Sequence, residues 1–313
     1  MNHRRRPFSQ RTKMPIPNFI QPMLAKPGRA FDSDKHLFEI KWDGIRAMTY
    51  IDSGGYRMMS RRGIEITQRY PEFAALTDFP AGTILDGELV VLDAQGRPEF
   101  RAVLTREQTR SPLRLKTLTQ GTPANYIVFD QLYHDGHSLL RLPLRERRAR
   151  LIETINGRPD DRIAVSDGVI GPGTEFFSQI LARDMEGIVA KRLDSRYQPG
   201  QRTDDWIKAR KSSTILCAII GYVPKGDDFE SLIIASDDKG ELRYVGRVGT
   251  GFPTRLRVKL HELLRENECR KPLIRCKVKG AWVQAGLYCS VRYLEMTKAG
   301  ELREPVFQKL ITD

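Results

Sequence analysis

Cysteine is scarce in this chain: four residues in 313, Cys217, Cys269, Cys276 and Cys289, all in the last third. Their spacing fits neither a Cys-x-x-Cys pair nor a zinc ribbon. This argues against a structural metal and a disulfide framework, and for reduced structural thiols in a cytoplasmic protein. No apolar run has the length needed to cross a bilayer. No apolar stretch follows the basic start Met-Asn-His-Arg-Arg-Arg, so that start is not a secretory signal. No acid precedes Asp32, and residues 1–16 read as a flexible basic arm. No internal repeat is visible, which sets aside solenoids and propellers.

The positive features are size, polarity and charge. A content of 40% hydrophobic and 29% charged residues describes a soluble globular protein, and 313 residues suit two domains. Lys and Arg outnumber Asp and Glu by 52 to 39, a net charge of +13. Such an excess on a globular protein faces either water or a polyanion, and nucleic acid is the first candidate.

The residue pattern predicts a strand, short loop and strand over Leu37–Ile51, with further strands at Tyr56–Ser60, Thr83–Leu92 and Tyr126–Tyr133. Leucine or isoleucine at 144, 151, 152 and 155 predicts an amphipathic helix over Leu144–Ile155, and a second helix is expected over Thr174–Asp184. After Arg210 the character changes. Short strands (Ile215–Val223, Ser231–Ala235, Leu242–Val248), a helix from Pro253 and a strand over Tyr288–Met296 fit a small β-barrel. The expected fold class is α+β. A domain of antiparallel sheets carrying helices (17–211) precedes a barrel of the oligonucleotide-binding type (212–313).

Six segments stand in order along the first domain. They are Glu39-Ile-Lys41-Trp-Asp43-Gly-Ile-Arg46, Ser60-Arg61-Arg62-Gly63, Leu85-Asp86-Gly87-Glu88, Tyr126-Ile-Val-Phe129-Asp130, Met185-Glu186-Gly187-Ile-Val-Ala-Lys191 and Trp206-Ile-Lys208-Ala-Arg210. One Lys-x-Asp-Gly is weak, but six collinear segments are not chance. The series resembles the covalent nucleotidyltransferases, and among them the ATP-dependent DNA ligases. The nearest likeness is to the ligase module of bacterial end-joining ligases of the ligase D and ligase C types. It covers roughly residues 17 to 310.

The resemblance implies roles. Lys41 is the nucleophile that takes AMP from ATP, and Glu39 recognises adenine. Arg46 and Arg61 contact AMP or the 5′-phosphate of the nick, and Phe129 stacks on the purine. Taken alone, Lys41 is a surface lysine and Phe129 a core aromatic. A protonated amine cannot attack, so the site must favour the free amine, and Arg46, Lys208 and Arg210 supply a positive field for that. Glu88 and Glu186 each adjoin a glycine on an apolar strand. They are the expected ligands of Mg²⁺ or Mn²⁺, with Glu88 also serving ribose, and Asp43 and Asp86 support them. Lys208 lies by the α-phosphate. Arg210 stands where the family usually has a second lysine, which keeps the charge with a flatter, bulkier group.

Trp282-Val283, Val291–Thr297 and Gly300–Phe307 resemble the barrel end of the same ligases. There the family continues into Arg-x-Asp-Lys, whereas this chain reads Ile311-Thr312-Asp313, a departure expected to weaken the first step. The implied substrate is nicked double-stranded DNA, sealed by a monomer without membrane attachment in the bacterial cytosol or nucleoid during repair. Kinship also implies a Ku partner, although the sequence itself carries no Ku-binding feature. The alternatives are an RNA ligase, a capping guanylyltransferase, and a nick-binding protein that cannot charge itself. NAD-dependent ligases fit poorly, because their zinc cysteines are missing.

Overall fold

Two strands, Ile45–Asp52 and Thr83–Val90, bury residues on both faces, as central strands covered on two sides must. They form the middle of a six-stranded sheet in the computed structural model, which describes residues 16–157, 160–238, 240–297 and 299–311. The expected basic arm, Ile16 apart, and the last two residues of the incomplete motif, Thr312 and Asp313, lie outside the described residues. The chain divides after Arg210 into two units.

In the first unit this sheet has the order β4 (Gly55–Ser60), β3 (Ile45–Asp52), β5 (Thr83–Val90), β6 (Asn125–His134) and β7 (His137–Ser138), with β8 (Ile163–Val165) on β6. The other sheet is β1 (Leu24–Pro27), β11 (Arg202–Arg210), β10 (Gly187–Arg192), β2 (Ser33–Ile40) and β9 (Gly168–Gly171). The sheets are mixed rather than purely antiparallel, because β1–β11 and β6–β8 run parallel. Residues of both meet in one core: Met23, Met48, Tyr50, Ile84 and Leu132 pack with Tyr197 and Trp206. Helix α4 (Gly173–Ala182) closes over the outside of the β2–β10 sheet. A 3-10 segment over Pro71–Asp78 and helices α1 (Phe100–Gln108) and α3 (Leu144–Asn156) cover the other sheet through a second core. Helix α2 (Pro112–Gly121) buries no residue.

α3 follows the predicted span with one exchange. Ile152, counted on the apolar stripe, is 38% exposed, and Arg147 is buried in its place. The buried positions 144, 147, 151, 154 and 155 keep helical spacing, and 152 is off that face. Arg147 holds Asp130 of β6 by two bonds of 2.8 Å and donates to the carbonyls of Leu142 (2.7 Å) and Ser195 (2.9 Å). Arg106 of α1 is likewise buried on Glu72 at 2.6 Å.

In the second unit a long strand, β12 (Ser213–Lys225), pairs with β13 (Asp228–Asp238) on one side and with both β16 (Ala281–Val283) and β17 (Tyr288–Tyr293) on the other. β14 (Glu241–Val248) and β18 (Val306–Ile311) are the two far strands, and β15 (Glu268–Cys269) extends β16. Backbone bonds from Leu302 to Val245 (2.7 Å) and from Phe307 to Thr250 (2.9 Å) bring those far strands together. The result is a barrel around Ile219, Leu232, Val245, Val291 and Phe307, into which α5 (Thr254–Glu266) lowers Leu260 and Leu264. Cys217 and Cys289 face each other across β12 and β17, both fully buried.

Removing one partner of a buried ion pair strands the other charge. Asp130→Ala is expected to lower the unfolding free energy by about 3–5 kcal/mol, read by urea denaturation, and a loss below about 1 kcal/mol would contradict this account.

Candidate active site

Three neighbouring strand ends converge in the first unit. Lys41 follows β2 directly, and its backbone N–H donates to the Gly187 carbonyl at 2.8 Å. Glu186 immediately precedes β10, and Arg210 ends β11 opposite Gly187. The Lys41 ammonium therefore meets the Glu186 carboxylate directly, and Arg210 lies 3.8 Å from the other Glu186 oxygen. Lys208, two residues back on β11, pairs in register with Val189.

The path into Glu186 is unusual. After α4 the chain passes Asp184 in the left-handed region (φ 57°) and reaches Gly187 at φ 149°. A Cβ on Gly187 would stand 2.1 Å from the Ala209 carbonyl oxygen, so only glycine lets β10 approach β11 here. Gly87 has a similar role beside Glu88, since a Cβ there would meet the Ile127 carbonyl at 2.6 Å.

Glu88 reaches the same cleft from the other sheet, cross-strand from Arg46. Burial pushes its carboxyl up to about 7. Lys41 and Arg46 draw it down, and Asp86 and Glu186 add to the rise. Among the described residues no group of three or more His, Cys, Asp or Glu could hold a metal ion, and Glu88 and Glu186 are the two carboxylates of this cleft that could contribute to one. That donor set suits Mg²⁺, which takes one or two carboxylates and fills the rest of its shell with phosphate and water.

Arg46, expected to contact AMP or the 5′-phosphate of the nick, is engaged by protein groups. Its Nε and Nη2 bind Asp86 at 2.8 and 2.6 Å, Nη1 donates to the Met23 carbonyl at 2.7 Å, and Nη2 also lies 3.4 Å from the Tyr197 hydroxyl. These bonds occupy four of the five N–H donors of a guanidinium. Asp86, expected to support a metal, is fully buried as the counter-ion of Arg46, and it also accepts from Tyr197 at 2.6 Å.

Glu39 is 2% exposed and clamped by two cations, Lys191 at 2.5 Å and Arg148 of α3 at 2.7 Å. Burial pushes the Glu39 carboxyl up and the Lys191 amine down, and their contact opposes both shifts. The Lys191 amine also stands 4.1 Å from the centroid of the half-buried Phe129 ring and 4.5 Å from that of Trp206. Lys191 sits in the Glu186 segment but had no role in the sequence reading. A lysine directly after the apolar run Gly187-Ile-Val-Ala190 is placed to be buried with a partner, and that was the available signal. Arg148, on a helix crowded with arginine, had no such signal. Arg61 is exposed in the turn after β4 and is not drawn into this group.

Residues 22–210 match the family model described as the ATP dependent DNA ligase domain, and residues 225–313 match the ATP dependent DNA ligase C terminal region. The chain belongs to the ATP-dependent DNA ligase family. This ligase is 34% identical over 96% of its length to the multifunctional non-homologous end joining protein LigD of Pseudomonas aeruginosa. It spans 36% of that protein, about a third of its length. It is also 28% identical to the SPbeta prophage-derived DNA ligase-like protein LigB of Bacillus subtilis, covering 93% of this chain and 98% of that one. The crystal structure of the ligase domain of Mycobacterium tuberculosis LigD aligns over 94% of this chain and 95% of its own, with 32% identity and a TM-score of 0.57. A mycobacterial ligase D complexed with ATP aligns with a TM-score of 0.56 at 32% identity, over 95% of this chain and 96% of that one. No helix among the described residues is long and apolar enough to cross a membrane.

Gly187→Ala combines a conformation that L-residues avoid with a carbonyl clash. It is expected to cost about 1–3 kcal/mol in unfolding free energy. A variant as stable as the parent would show that β10 can shift without penalty.

Proposed function

We propose that this ligase seals 5′-phosphate/3′-hydroxyl nicks in duplex DNA through an AMP-lysine formed on Lys41. The observation that carries the reading is the convergence of Lys41, Glu186 and Arg210 at three adjacent strand ends, with Glu88 facing them. In the first step the Lys41 Nζ lone pair forms a bond to the α-phosphorus of ATP, the bond to pyrophosphate breaks, and the amine gives up a proton. Attack requires the Lys41–Glu186 contact to open, which frees the amine and leaves Glu186 to the ion, and the proton of the lysine passes to water. In the second step the 5′-phosphate of the nick displaces the lysine and carries AMP. In the third the 3′-hydroxyl displaces AMP and closes the strand.

Lys208 and Arg210 would hold the α-phosphate, where fixed positive charge at a developing anion supplies most of the catalysis. Glu88 and Glu186 would hold a Mg²⁺ or Mn²⁺ ion, whose chemistry is to neutralise phosphate charge and polarise the phosphorus. The Glu39 carboxylate, oriented by Lys191 and Arg148, suits the adenine amino group, and Phe129 offers a ring for the purine. Arg46 keeps one free donor. Its main contribution is therefore a positive field and the positioning of Asp86 and Tyr197. Arg61 is left for the nick's 5′-phosphate. On the kinship with LigD we assign the activity to bacterial repair by end joining, with Ku as partner, in the cytosol, and we take the active form to be a monomer.

Incubation with α-labelled ATP and Mg²⁺, followed by denaturing electrophoresis, is expected to label the protein, and Lys41→Ala to abolish the band. Arg210→Ala should slow labelling by about 10²–10³-fold. Sealing is expected on nicked DNA in preference to nicked RNA. A protein that neither labels nor seals a pre-adenylated nick would refute the proposal.

A further inference from the structure

We infer that a groove between α2 and the 3-10 turns Thr67–Arg69 and Pro71–Asp78 is a docking site for an acidic segment of a partner protein. The carboxylates of that segment meet Arg110 and Lys116, and its apolar side chains rest on Pro71, Pro112 and Leu115. The inference does not depend on the nick-sealing reading, since no residue of the groove belongs to the cleft around Lys41.

α2 is a helix without a place in the core. None of its ten residues is buried, and ten residues are too few to hold a helix by backbone bonds alone. It is tied from one side. The buried Arg106 of α1 donates to the Thr119 hydroxyl at 2.9 Å and to the Thr122 carbonyl at 3.3 Å, and Ser111 caps the first turn. Leu113 is 77% exposed, the highest value of any large hydrophobic among the described residues. Leu113, Lys116 and Gln120 follow one another at helical spacing and share a face.

That face borders a groove of about 340 Å³, a volume within the range of ligand sites. Pro71, Pro112 and Leu115 line it with apolar surface, and Arg110 and Lys116 with charge. Gln68 and Gln120 add carboxamides. The charge is of one sign. No acid occurs between Glu107 and Asp130, a stretch that holds Arg110, Arg114 and Lys116. Among the described residues none of these three cations forms an ion pair. The acids that flank the groove in sequence are already taken: Glu72 is buried on Arg106, and Glu107 binds Arg69 and the Tyr70 hydroxyl. A carboxylate brought by another molecule therefore meets cations with no internal rival.

The walls decide between a peptide and a nucleic acid. A phosphate backbone presents acceptors only and gains nothing from a surface of proline and leucine. A peptide brings apolar side chains to that surface and to Leu113 on the rim. Its backbone also donates and accepts, as the carboxamides of Gln68 and Gln120 do.

The test selects displayed random peptides on the full chain and counter-selects on R110A/K116A. The enriched sequence is then synthesised with a fluorescent label, and its binding is followed by anisotropy. Asp or Glu beside an apolar residue is expected to be enriched. R110A/K116A should weaken binding at least about tenfold, because two charge-assisted hydrogen bonds are lost. L113S should weaken it about threefold through lost apolar contact. All three positions are exposed, so both variants are expected to label with α-labelled ATP and to seal nicks as the parent does. Enrichment without acidic bias, or equal binding by R110A/K116A, overturns the inference. So does a double variant that keeps the peptide but loses duplex affinity, which assigns these cations to nucleic acid. A parent that takes the peptide but neither labels nor seals refutes the ligase reading and leaves the docking site standing.

Discussion

One carboxylate, Glu186, organises the candidate cleft. It neutralises Lys41, faces Arg210 across 3.8 Å, and is one of two acids that could hold a cation. These relations exclude one another in part: an oxygen occupied by an ammonium is not free for a metal. The resting cleft is therefore electrostatically closed, with positive and negative strand ends cancelling. Anything that adds charge, a polyphosphate or a divalent cation, must rearrange the same contacts that hold β2, β10 and β11 in line. Adding such charge and freeing the Lys41 amine are in this sense one event.

Behind the cleft, the scaffold uses ion pairs in place of hydrocarbon at several core positions. Asp86, Asp130 and Glu72 are each held by one arginine, all six groups being buried or nearly so. Burying charge is costly, and a packed leucine fills volume more cheaply. A guanidinium differs from leucine in having directed donors. Arg46 ties β3 to β5 and to the segment before β1, and Arg147 ties α3 to β6 and to the Ser195 carbonyl. Each fixes an angle between elements where an apolar contact would fix only a distance. The Glu39 cluster with Lys191 and Arg148 applies the same device between β2, β10 and α3.

Most of the architecture was legible in the chain, for identifiable reasons. Strands such as Ile45–Asp52 and Thr83–Val90 carry clusters of aliphatic and β-branched residues, and α3 has a clear helical period, so their boundaries are observed within two or three residues of expectation. α1 and α2 were not foreseen. α1 buries Arg106 as much as it buries Val103, and α2 buries nothing, so neither leaves an apolar stripe to read. Parallel pairing at the sheet edges has no local signature either. In the site, motif spacing located Lys41, Glu186 and Arg210 because strand ends are adjacent in sequence logic. It could not reveal that Arg46 is already engaged. Whether a cation in a motif meets a ligand or a neighbouring acid depends on contacts between Met23, Asp86 and Tyr197, residues far apart in the chain.

The paired thiols of the barrel have a chemical consequence. Burial pushes Cys217 up to about 12 and raises Cys289 as well, and both are sealed from solvent among aliphatic side chains. Neither is available as a thiolate at neutral pH, so among the four cysteines thiol reagents find their targets at Cys269 and Cys276, which are partly exposed. The accessible thiols are thus confined to one basic surface segment and its edge. A probe attached there reports on that segment alone and leaves the catalytic unit, which has no cysteine, chemically untouched.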